Sequence, residues 1–128
     1  LYTSRYQSRH LAEPGTNLVA VRTTLYPPRF PLGYELRYRI AELAPTHRLF
    51  KLEGAEFDQL YVQHLDRIGV DVIEARFAEI VAAEKLRGND RPALVLCCFE
   101  QAARDCHRST FAAWWLLKTG EEIPELPV

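Results

Sequence analysis

The residue types best suited to chemistry crowd into one segment: Cys97-Cys98-Phe99-Glu100-Gln101-Ala102-Ala103-Arg104-Asp105-Cys106-His107-Arg108. A helix starting near its end would present unpaired amides and about half a positive charge at its first turn. Cys106, His107 and Arg108 at such a start favour a bound anion and a lowered thiol pKa. The chemistry to expect is then a Cys106 nucleophile, with His107 or Glu100 carrying the proton and Arg108 clamping the anion. The competing reading is local: Cys106 and His107 pack the helix start, and Arg108 pairs with Glu100 or Asp105.

Two other chemistries fit the segment less well. Cys98 and Arg104 have the spacing of a cysteine-phosphatase loop, but no glycine lies between them and Glu100 would repel phosphate. Cys98, Cys106 and His107 with a remote ligand form a fair metal set. Neighbouring residues inside a helix diverge by about 100°, however, and there is no C-x-x-C pair. No metal site is therefore expected. Cys97 and Cys98 would face opposite sides of a strand, which argues against a disulfide framework and for reduced thiols.

The elements that must position this segment follow from periodicity. Leu1-Tyr2-Thr3 is a short strand candidate, with polar Ser4, Arg5 and Tyr6 after it. Leu18-Val19-Ala20-Val21 is a continuous apolar run, the pattern of a strand covered on both faces. Residues 26–33 hold three prolines and a glycine and predict a rigid loop carrying Arg29, which could stack a base or hold a phosphate. Residues 34–40 alternate as a strand does, yet Leu36, Ile40 and Leu43 also make a helical stripe; both readings stand. Phe57, Leu60, Tyr61, Leu65 and Ile68 predict a helix over 55–67 closed by Gly69. Asp71 with Glu74 predicts a capped start to the next helix, whose stripe is Ile73, Phe77, Ile80 and Val81 and which ends at Gly88-Asn89. Ala93-Leu94-Val95-Leu96-Cys97 is a buried strand. Asp105 is placed to cap a last helix reaching Lys118, with Gly120 as its stop. One of Trp114 and Trp115 should be core and the other free to cover an edge or a partner. His64 reads as a boundary residue, His10 could approach the strand ends, and residues 124–126 could add an edge strand.

Buried strands separated by helices predict an α/β fold: a mainly parallel central sheet flanked by helices, a Rossmann-like three-layer sandwich. Ligands of such sheets sit beyond the carboxyl ends of the strands. That rule gathers Ser4, Arg5, Arg22, Cys98 and Arg108 at one rim. The 128 residues make a single domain over 1–128; 48% hydrophobic and 26% charged residues exclude a disordered chain. Net charge is −1, but residues 1–50 hold seven arginines against three glutamates, a balance of +4. No apolar run approaches a membrane span and no basic-then-apolar leader opens the chain, so the cytoplasm is expected and a membrane is not.

Cys98-Phe99-Glu100 after a strand, then Cys106-His107-Arg108 at a helix start, resemble the family called "domain of unknown function 488". Leu1-Tyr2-Thr3-Ser4, Arg22, Pro28-Arg29-Phe30, Trp114-Trp115, Thr119-Gly120 and Pro124-Glu125-Leu126 extend the resemblance over nearly the whole chain. One departure stands out: many members carry Asp-x-Arg after the second strand, where this chain has Ala20-Val21-Arg22. The resemblance implies a small α/β domain and a site in the Cys-His-Arg segment, and it supplies no reaction. The expected function is recognition of an anionic, phosphate-bearing ligand, a nucleotide or a nucleic-acid end. The alternative is a non-enzymatic module binding protein or DNA, or a second copy of the chain, through Arg29, Arg37, Arg39 and the spare tryptophan.

Overall fold

A computed structural model describes residues 1–46, 49–99 and 106–127. Four strands, β1 (Tyr2–Arg5), β2 (Leu18–Arg22), β3 (Tyr38–Arg39) and β4 (Ala93–Cys98), form one sheet in the order β1-β4-β2-β3. Every pairing is parallel, with Arg5 opposite Cys98 and Arg22 opposite Cys97. The carboxyl ends of all four strands therefore share one rim. The chain forms an α/β fold of three layers, as its buried apolar runs predict. No helix among the described residues is long and apolar enough to cross a membrane.

The pleat divides the core. Val19, Val21, Leu94 and Leu96 point to one face and pack under α1 (Gly54–Ile68), α2 (Val70–Leu86) and α3 (His107–Thr119). Ala20, Val95 and Cys97 point to the other, beneath Tyr6, Leu11 and the loop residues Phe30, Leu32, Tyr34 and Leu36. The second outer layer is thus a 3-10 turn over residues 9–12 and an irregular loop rather than a helix pair. Tyr34 pins that loop by donating to the Tyr6 carbonyl at 2.6 Å, and Phe30 meets Phe99 edge-on. The rigid proline loop is accordingly a lid on the sheet, and its Arg29 is exposed.

Differences from the periodicity reading have physical causes. Residues 34–40 form a strand only at Tyr38–Arg39, because the preceding side chains are drawn onto the lid layer. Gly69, at φ 86°, serves as both the C-cap of α1 and the N-cap of α2, a conformation that favours glycine. The capped start at Asp71 therefore does not form; the N-cap lies two residues earlier, at Gly69, and α2 begins at Val70. Trp114 and Trp115 are both buried; their indole N–H groups donate to Asp66 and Glu121. No tryptophan is left to cover a partner. Residues 124–126 do extend the edge: Glu125 bridges Thr3 in parallel fashion beside β1.

Candidate functional site at the strand ends

The pleat also decides which rim residues meet. Arg5 and Cys98 share the helix-covered face, whereas Ser4 and Arg22, paired with Cys97, belong to the lid face. Arg22 bends back on its own loop, donating from Nε to the Thr24 carbonyl at 3.0 Å and from Nη2 to Leu25 at 2.6 Å. Ser4 is buried, and its hydroxyl donates to the Arg5 carbonyl. The guanidinium cluster expected from rim placement is thus not assembled. Strand order brings the backbones together; alternation sends the side chains apart.

Arg108 is the second correction. It is fully buried and forks onto Glu125, with Nε 3.0 Å from Oε1 and Nη2 2.8 Å from Oε2, while Nη1 donates to Cys98 Sγ at 3.0 Å. It therefore holds the C-terminal segment and one sulfur, and does not line the cleft as a clamp. The expected local partners, Glu100 and Asp105, lie outside the described residues, as do His47 and the Arg104 of the phosphatase-like spacing. His10 pairs with Glu13, and half-buried His64 faces the Glu42 carbonyl beside Tyr61. Arg37 pairs with Glu35, while Arg39 stands exposed at the end of β3.

What does converge is sulfur and imidazole. Cys106 is the N-cap of α3 with extended backbone, φ −135° and ψ 151°, so the divergence of successive helical residues does not apply to it. Its side chain and that of His107 turn to the same point. Cys98 reaches that point from β4 and is joined to Cys106 as a disulfide, the Cα atoms 6.9 Å apart. Free thiols were expected throughout; among the three cysteines only Cys97 is free. The strand argument did separate Cys97 from Cys98, but it had no way to see Cys106 arriving across the rim. Cys97 is sealed under the lid, and burial pushes its thiol up to about 12.

The tautomer of His107 follows from its partners. Nε2 lies 2.8 Å from the Thr23 carbonyl and 3.0 Å from Thr23 Oγ1. That hydroxyl already donates to the Cys97 carbonyl at 2.8 Å, so both neighbours of Nε2 can only accept. Nε2 carries the proton, and the Nδ1 lone pair faces Cys106 Sγ at 3.6 Å. Burial first of all lowers the imidazolium pKa from 6.5 to about 4; the bond to Thr23 opposes this and the Arg108 charge adds to it.

A stability profile follows. An unfolded imidazole takes its proton near 6.5 and the folded one only near 4, so the unfolded state binds more protons between those values. Folding stability is expected to be full above 6.5, to fall as pH drops through that window, and to level off below it. Urea midpoints measured with a chelator present check this, since His107→Asn should flatten the slope. Carboxylates held low, Glu42 and Asp66, act only below their ordinary 4.5 and 3.8. A slope unchanged by the substitution would assign the effect elsewhere.

The sulfur and imidazole corner opens on a cleft of about 560 Å³ between the starts of α1 and α3. Glu53, Gly54, Phe57 and Asp58 of α1 form one wall, and Phe99, Cys106 and His107 face them. Asp58 accepts a hydrogen bond from Thr110 at 2.9 Å, which ties the two helices together. Neither helix start carries a side-chain cap: the N-cap residues are Glu53 and Cys106, and neither side chain bonds the following amides. Glu53 and Gly54 were invisible as site residues, since only the packing of α1 against α3 brings them here. Across family models, curated proteins and solved structures, nothing matches this chain.

Proposed function

We propose that the chain binds an anionic, phosphate-bearing ligand, a nucleotide or a nucleic-acid end, in the cleft between α1 and α3. One observation carries this reading: two helix N-termini without side-chain caps open on the same cleft, at the rim where parallel sheets take ligands. Each start offers free amides and about half a positive charge. The amides replace the arginine cluster as the anion's partners and must outweigh the repulsion of Glu53 and Asp58 in the same lining, with Arg22 and Arg108 acting as supports of the rim. The same segment carries the resemblance to the family "domain of unknown function 488", and membership is part of the proposal. The cytoplasm is the proposed setting, where the Cys98–Cys106 pair would stand reduced.

Inorganic phosphate and adenosine phosphates, titrated with a chelator present, test the reading by backbone amide shifts. The largest shifts are expected at Gly54–Phe57 and His107–Thr110. Cys106→Asp places a carboxylate where it caps α3 and should weaken binding about thirtyfold, since a cap and its charge are each worth ~1 kcal/mol. Cys106→Ala removes the sulfur without adding charge and should retain the affinity. Amides that do not respond to any of these anions would overturn the proposal.

A further inference from the structure

The two cysteines and His107 have a geometry that anion binding does not explain. Cys98 Sγ, Cys106 Sγ and His107 Nδ1 all lie within 4.8 Å of one another. We propose that, once the Cys98–Cys106 bond is reduced, these three atoms hold a divalent metal of the zinc class, with its fourth position open to the cleft. The inference stands on its own, whether or not the cleft takes a phosphate-bearing ligand.

Four observations support it. The 3.6 Å between Cys106 Sγ and His107 Nδ1 matches the roughly 3.6 Å that separates a nitrogen and a sulfur on tetrahedral zinc, from bonds of ~2.0–2.1 and ~2.3 Å. Nε2 is fixed as the protonated nitrogen by Thr23, the outer partner that orients a ligating imidazole and leaves Nδ1 free to bind. Arg108 donates to Cys98 Sγ at 3.0 Å, which favours the thiolate, while Glu125 balances the arginine's charge. Finally, three protein ligands facing an open cleft is the arrangement of zinc sites that accept water or substrate as the fourth ligand.

The chemistry balances with one co-reactant. A dithiol reductant breaks the S–S bond by supplying two electrons and two protons, and leaves as its own disulfide. Two sulfurs no longer bonded separate to about 3.7 Å, the spacing of two thiolates on tetrahedral zinc. The metal ion then displaces both thiol protons to solvent. In reverse, the oxidised (disulfide) form of the same co-reactant accepts two electrons from the thiolates and two protons from solvent, re-forms the Cys98–Cys106 bond and releases the metal.

Cobalt(II) alone is the probe. Protein reduced with a phosphine and freed of it under anaerobic conditions is titrated with cobalt, then with zinc. One equivalent is expected to give thiolate-to-cobalt charge transfer and the visible bands of a tetrahedral site, bleached by one equivalent of zinc. Unreduced protein should give neither. Cys106→Ser, whose hydroxyl suits an N-cap, should fold normally by circular dichroism yet lose the charge-transfer intensity and at least tenfold in affinity; Thr23→Val should weaken binding by about 10–100-fold. Absence of charge transfer in the reduced chain, or bands untouched by Cys106→Ser, would overturn the metal site and leave the phosphate titration unaffected.

Discussion

Glu125→Ala is expected to cost about 3 kcal/mol of folding stability, the lower end of the range for breaking a buried ion pair. The Arg108 side chain is 0% exposed, while Glu125 keeps 34%, so water reaches one partner and softens the loss. Removing the carboxylate takes the Glu125 charge away from a buried guanidinium. It also removes the acceptor of Thr3 Oγ1, which donates to Glu125 Oε1 at 2.7 Å. Thr3 anchors the same segment through its backbone, with its N–H on the Pro124 carbonyl and its carbonyl accepting from Leu126. The loss should therefore appear as a lower urea midpoint together with faster amide exchange at Leu126. Glu122→Ala, on an exposed neighbour, should stay within about 0.5 kcal/mol. The double change Arg108→Met with Glu125→Leu should recover at least half of the loss, because the buried guanidinium is removed together with its Glu125 partner. A single-variant cost below about 1 kcal/mol would show that Glu125 is not the partner holding Arg108.

That pair also marks where local reading stops. Arg108 at the head of a helix, with acids at 100 and 105 nearby, invites a ligand role or a local ion pair. Its described carboxylate partner, Glu125, lies 17 residues on, past the helix, and meets it because the terminal segment returns beside β1. Three of the strands, the three helices and the parallel sense of the sheet were legible because period and apolar runs report burial directly. The rim was legible too, since parallel strands must end together. The sorting of the rim side chains was not used: register assigns Arg5 and Cys98 to one face, Arg22 and Cys97 to the other, and register is a long-range property. Cys106 shows the opposite failure. Periodicity set the cap at Asp105, one residue early, so Cys106 was read as helical rather than as the extended N-cap it is, which hid its convergence with His107. The wall contributed by Glu53 and Gly54 had no local signal at all.

Trp115→Ala is expected to cost about 3–5 kcal/mol, the range for truncating a large aromatic in a packed core. The side chain is 2% exposed and sits between two rings, Phe77 of α2 at 5.4 Å and Phe111 of α3 at 5.7 Å. Its indole N–H donates to Glu121 at 2.7 Å, so the change also leaves that carboxylate without a donor. Trp115 lies eight residues beyond His107, about 12 Å along the helix. It therefore clamps the end of α3 opposite the cleft. Leu117 is the matched control: same helix, apolar, but 81% exposed, so Leu117→Ala should stay within about 0.5 kcal/mol. The two variants bear on the cleft as well as on stability. If α3 presents its first-turn amides as a rigid unit, loosening its far end should weaken phosphate binding even in the fraction still folded, whereas Leu117→Ala leaves it unchanged. Equal phosphate affinity in folded Trp115→Ala would mean that the bonds from His107 to Thr23 and from Arg108 to Glu125 position the helix start by themselves.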